Sequence, residues 1–222
     1  MGGRGAASGA KGGAKNGKIS GTNASGKSRI FYDRTEHFKG MNMHEFENAV
    51  RGRATEFLGG FDKDGKLVVA GTSNSKGSVV IPTGHPEFNS ITTITHNHPS
   101  NSARPVGGTL SEADVKVLGT YKNLNSMRAV ASGKGEHSYI MQKSAGKTAN
   151  HDGLRADAIA AERSGKLAKM GQEAAAKYTK SVGRPLTSAE HSAAYIGGMK
   201  KAWRDIAGRN GFDYIPLKKA PW

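Results

Sequence analysis

A β-branched run, Ser90-Ile91-Thr92-Thr93-Ile94-Thr95, leads without a break into His96-Asn97-His98-Pro99. Isoleucine and threonine favour extended backbone, because a branched Cβ packs well on a pleated surface. Strand side chains two residues apart share a face, so His96 and His98 point the same way. Neutral imidazoles are good ligands for a borderline-soft dication. Further on, Ser111-Glu112-Ala113-Asp114 reads as a helix start. Ser111 is a preferred N-cap, and Asp114 in the first turn is favoured by the helix dipole. Strand histidines are often structural, and capping alone accounts for Ser111 and Asp114. Taken together, however, His96, His98 and Asp114 offer one ion three donors and leave a fourth position open. That is the layout of a catalytic zinc site rather than a structural one.

The region before the histidines reads as strands with one short helix. Met43 to Val50 places Phe46 and Val50 four apart on one helical face. Thr55 to Phe61 and Lys66 to Ala70 form a hairpin around Asp62-Lys63-Asp64-Gly65. Ser78-Val79-Val80-Ile81 is a further strand stopped by Pro82, and Ser90 to Thr95 is the strand that delivers His96. Three carboxylates compete for a role near the histidines. Glu45 and Glu47 fit an exposed helix face, whereas Glu56, beside apolar Phe57 and Leu58, is expected to point into a site. After the helix that begins at Ser111, with Val115 and Leu118 facing the core, Ser126 to Ser132 and His137 to Gln142 form two more strands. His85 and His137 read as turn or surface residues.

The set His96-Asn97-His98-Pro99, a spacer, Ser111-x-x-Asp114 and an upstream Glu56 resembles the JAMM (MPN-plus) metalloprotease motif. That family contains isopeptidases acting on ubiquitin-like proteins and bacterial and phage relatives, including RadC-like proteins. Twelve residues separate His98 from Ser111, more than the family's usual spacer. Ala103 to Thr109 reads as a loop insertion, which costs little in closure entropy. The resemblance covers roughly residues 43–143 and implies an α/β (α+β) fold, a mixed sheet with flanking helices. It also implies a zinc-dependent peptidase or isopeptidase. His96, His98 and Asp114 would hold Zn2+, Glu56 would serve as proton shuttle for water, and Ser111 would help hold the oxyanion. The substrate would be a protein: a ubiquitin-like conjugate, or a virion or host protein. The alternatives are a RadC-like nucleic-acid-binding module and a phage structural or toxin-associated component. A nuclease of the His-Asn-His type is disfavoured, since such nucleases spread their residues over a hairpin and a helix.

The chain has 222 residues and a net charge of +15, from 33 Lys+Arg against 18 Asp+Glu. That charge favours polyanionic partners, whether nucleic acid, an anionic surface or an acidic protein. There is no cysteine, which excludes a disulfide framework and any thiolate site. No apolar run reaches membrane-spanning length and no signal-peptide core is visible, so the expected setting is the bacterial cytoplasm or a virion. Residues 1–30 are rich in Gly, Ser, Ala and Lys, and Gly2-Gly3-Arg4-Gly5 is similar to segments in phage head-associated proteins. Too apolar-poor to offset its ordering entropy, this stretch is expected to be a disordered basic arm, suited either to nucleic acid or to solubility.

The expected domain spans 31–148, with a helical extension over 149–222. Ile159, Leu167, Met170, Ala174 and Tyr178 form a helical stripe within 154–181. Thr187-Ser188-Ala189-Glu190 is a capping box that opens a helix carrying Tyr195, Met199, Ala202 and Ile206, ended by Gly208 and Asn210-Gly211. These stripes read as packing surfaces. Phe212 to Leu217 is an extended tail that Pro216 restricts to a sheet edge.

Overall fold

The computed structural model describes residues 17–74, 80–99, 109–131 and 138–216. Its centre is one mixed sheet of eight strands: β1 (Lys18–Thr22), β2 (Ser28–Asp33), β3 (Phe57–Phe61), β4 (Leu67–Thr72), β5 (Thr93–His98), β6 (Ser126–Ala131), β7 (Tyr139–Lys143) and β8 (Phe212–Pro216). The strand order is β1-β2-β4-β3-β5-β6-β7-β8. Every pairing is antiparallel except β5 with β6. A parallel pair needs a crossover, and helix α2 (Glu112–Thr120) supplies it. The architecture is therefore mixed α/β, as the sequence implies.

Alternation along β3 and β5 divides the two faces. Helix α1 (Met43–Arg51) covers one of them with Phe46 and Val50, which pack with Phe38, Phe61 and Ala70. Gly59 faces this helix so closely that an added Cβ would stand 2.7 Å from the Phe46 ring. The opposite face holds the larger core. Leu58, Ile94, Val115, Leu118 and Met127 join there with residues from α3 (His151–Ser164), α4 (Lys166–Val182) and α5 (Ser188–Arg209). Trp203 on α5 is completely buried in that core. The segment from His151 onward thus shares the core of the sheet, and β8 extends the sheet by pairing with β7, with Tyr139 opposite Pro216. Pro216 sits on an edge strand, where its missing N–H breaks no ladder.

One expectation is corrected. Residues 17–30 do not belong to a disordered arm: β1 and β2 form a hairpin there. Asn23 closes it, its Oδ1 accepting from the N–H groups of Ser25 and Lys27. Phe31 anchors it in the core, and Tyr32 pairs with Thr72 of β4. Residues 1–16 lie outside the described residues. Of the strand expected at 78–81, Ser78 and Val79 lie outside the described residues, and Ile81 forms an isolated bridge with Thr22. The stripe over 154–181 is carried by two helices, because Gly165 at φ 61° takes the left-handed conformation between α3 and α4. Among the described residues no helix is long and apolar enough to cross a membrane.

Candidate metal centre

Strand β5 presents Ile94, His96 and His98 to the α2 side and Thr95 and Asn97 to the α1 side, as period-two alternation requires. His96 is 1% exposed and Asp114 8%. The Nε2 atoms of His96 and His98 are 2.9 Å apart. Asp114 Oδ1 lies 3.2 Å from His96 Nε2, and Asp114 Oδ2 lies 3.6 Å from His98 Nε2. Donors held about 2.0–2.2 Å from a tetrahedral ion stand about 3.3–3.6 Å from one another. The observed separations bracket that spacing, and one ligand atom from each residue falls within a mutual 4.8 Å. These three residues can hold a metal ion.

Asp114 is fixed by the start of α2. The Ser111 hydroxyl donates to Asp114 Oδ2 at 2.8 Å, the Ser111 N–H donates to the same oxygen at 2.7 Å, and the Asp114 N–H donates back to Ser111 Oγ at 3.2 Å. This reciprocal capping box leaves Oδ1 directed at His96. The Ser111 hydroxyl is therefore engaged with the carboxylate, so the expected oxyanion contact would require it to exchange partners. Of the spacer, Pro99, Thr109 and Leu110 are described; the expected insertion at 103–109 lies, Thr109 apart, outside the described residues. Thr109 hydrogen-bonds the hydroxyl of Tyr214 on β8, which ties the approach to α2 to the C-terminal strand.

The electrostatics follow from burying opposite charges together. Burial by itself lowers the His96 pKa, but the charge and hydrogen bond of Asp114, with the charge of Glu56, outweigh it and leave the pKa raised. Burial by itself raises the Asp114 pKa, but the charges and hydrogen bonds of His96 and His98 hold it well below the usual carboxylate range. His96 Nδ1 is buried without a well-formed hydrogen bond, and the Arg128 backbone beside it adds to the upward shift.

Glu56 stands immediately before β3 and is 8% exposed. Leu58 pairs with His96 in an antiparallel register. Carrying that register two residues further sets Glu56 across from His98, on the sheet face that carries the histidines. Glu56 is thus brought to the cluster, within charge range of His96, without being one of its three donors.

Glu47 corrects an expectation. It is not an exposed helix carboxylate but 3% exposed. Its Oε1 accepts from Arg128 Nε at 2.6 Å and from Thr95 Oγ1 at 2.8 Å, and its Oε2 accepts from Arg128 Nη2 at 3.0 Å. This bidentate pair braces β5 and β6 from the α1 face, behind the histidines. His85 stays apart as a turn residue that accepts from the Glu87 N–H; His137 lies outside the described residues.

Asn97, between the two histidines, was given no role by its sequence position. It is completely buried and faces α1. Its Oδ1 accepts the Phe57 N–H at 2.7 Å, and its Nδ2 donates to the carbonyl of Thr55 at 3.1 Å. The signal that would have found it is the alternation itself: a polar residue between two ligands must face the other way and find partners there. No family model matches the chain, and comparison with curated proteins and with solved structures likewise finds no match.

Proposed function

We propose that the protein is a zinc-dependent hydrolase of the JAMM type that cleaves a peptide or isopeptide bond. The observation carrying this reading is the buried cluster of His96, His98 and Asp114, whose donor separations suit one tetrahedral ion, with Glu56 on the same face. The resemblance of the motif to that family supplies the reaction class and the choice of zinc. When bound, zinc supplies Lewis acidity and lowers the pKa of a coordinated water to about 7. His96 and His98 hold the ion as neutral imidazoles, and Asp114 holds it as a carboxylate oriented by Ser111. Glu56, held just before β3, accepts a proton from the attacking water and returns it to the leaving amine. Burial of the cluster strengthens each of these charge interactions. The substrate is a protein, either a ubiquitin-like conjugate or a virion or host protein. Trapping by a Glu56→Gln variant, followed by identification of the retained protein, tests the substrate class. Cleavage of that protein by wild type supports the reading, and no cleavage by zinc-loaded wild type rejects it.

A second reading, a nucleic-acid-binding role, is favoured by the +15 charge and by a cleft where Arg155 and Arg163 stand beside the Lys116–Glu162 ion pair. Binding through phosphates weakens steeply with salt. Duplex DNA titrated against the protein at several salt concentrations distinguishes this reading: a steep loss of affinity supports it, and no binding at low salt removes it.

A further inference from the structure

Glu56 stands one residue before β3, and side chains from both neighbouring strands hold the backbone on either side of it. Thr72, on β4, donates its hydroxyl to the Glu56 carbonyl at 2.6 Å and accepts the Asn74 N–H at 3.0 Å. Asn97, on β5, accepts the N–H of Phe57 and donates to the carbonyl of Thr55. Its Nδ2 also approaches the Arg53 carbonyl at 3.4 Å. The backbone on both sides of Glu56 is therefore held by buried polar groups from the two strands that flank β3. Thr72 is 2% exposed and Asn97 is 0% exposed. Buried hydrogen bonds of this kind are costly to leave unmade, so they restrict the segment to one placement.

From these contacts we propose that Asn97 and Thr72 are positioning residues that together clamp residues 53–57 and hold the Glu56 carboxylate beside the metal site. The proposal rests on the reading of Glu56 given above. Asn97 suits the task because it sits between the two ligands on one rigid strand. Its neighbours on either side fix the ion on one face, and its own amide fixes the Glu56 segment from the other. Ligand placement and proton-acceptor placement are thus set by the same three consecutive residues, His96-Asn97-His98. A displacement small enough to leave the fold intact is sufficient to matter, since a misplacement of about 1 Å costs on the order of 10²-fold in a catalysed step.

Cobalt(II) loaded in place of zinc gives a visible spectrum that reports the site without any substrate. The measurement is the cobalt stoichiometry and the pH midpoint of that spectrum in wild type, Glu56→Gln, Asn97→Ala, Thr72→Val and Thr72→Ser. Removing a negative charge beside the metal lets a further negative charge form there at lower pH, by on the order of one pH unit. Glu56→Gln is therefore expected to bind one cobalt and to lower the midpoint. Asn97→Ala and Thr72→Val are expected to bind cobalt and to lower the midpoint in the same sense, while Thr72→Ser, which keeps the hydroxyl, behaves as wild type. In the double variant Glu56→Gln/Asn97→Ala the midpoint is expected to match Glu56→Gln alone, because residues acting through one group are not additive. A midpoint unchanged in Thr72→Val, with Glu56→Gln shifted, overturns the clamp and leaves the reading of Glu56 standing. A midpoint unchanged in Glu56→Gln, with cobalt bound, overturns the reading of Glu56 itself. If Asn97→Ala does not fold, the comparison of Thr72→Val with Thr72→Ser decides alone.

Discussion

Asp114 Oδ1 lies 3.2 Å from His96 Nε2, while its Oδ2 accepts both the hydroxyl and the N–H of Ser111. One carboxylate thus caps α2 and faces the histidines, and the two roles separate by substitution. Asp114→Asn keeps an oxygen for the cap but loses the anionic ligand. It is expected to remain folded, within about 1 kcal/mol of wild type, and to bind metal weakly. Asp114→Ala is expected to lose both metal and the cap. Chemical denaturation with metal analysis checks the pair: an Asn variant that retains full metal content makes Asp114 a cap alone.

Glu56 is expected to behave differently, because the proposed function makes it a proton acceptor and not a ligand. Glu56→Gln should retain metal while turnover of a trapped substrate falls by roughly 10²–10⁴. Loss of metal in this variant would exchange the roles of the two carboxylates.

The metal-free protein should show a definite pH window. The raised His96 pKa contributes stability that is fully present below the ordinary histidine value of about 6.5 and is lost as pH rises through the native value. The depressed Asp114 pKa contributes stability present above the ordinary value of about 3.9 and lost as pH falls through the native value. Both contributions are complete between those two ordinary values. Metal has the opposite dependence, since it requires a neutral His96 and competes with its proton. The rise in Tm on adding zinc should therefore grow as pH increases through the raised His96 value. Thermal scans with zinc and with chelator across that range check the sign; an increment that shrinks with pH contradicts it.

The pair of Glu47 and Arg128 gives a control on the other face of the sheet. Removing one partner of a buried, bidentate ion pair leaves the other charge uncompensated. With the Arg128 side chain 21% exposed, Glu47→Ala is expected to cost about 3 kcal/mol and to leave the metal content of the folded protein unchanged. Denaturant midpoints and metal analysis of the same sample measure both. Metal lost from the folded variant would mean that the two faces of β5 are coupled.

Much of the site was legible because its determinants are local. The two-residue spacing of His96 and His98 fixes their shared face on any strand, and the Ser111–Asp114 box declares itself in four residues. The burial of Glu56 was legible by its apolar flank. Glu47 was not, because a helix pattern shows which residues share a stripe but not that Arg128, distant in sequence, waits beneath. The β1–β2 hairpin was missed for a similar reason. Its first strand is largely polar and contains Gly21, and the hairpin is held by Asn23, which closes the turn, and by the non-local pairing of β2 with β4. The eight-strand sheet was seen only in pieces, since strand order depends on non-local pairing. The break at Gly165 was hidden because the apolar stripe continues through it.

His96, His98 and Asp114 are proposed to hold one metal ion together. The most direct measurement is elemental analysis of purified wild type beside a His96→Ala/His98→Ala variant shown to be folded. About one zinc per wild-type chain is expected, with none retained by the variant. Wild type without bound metal after incubation with zinc, or a variant with undiminished zinc, would contradict it.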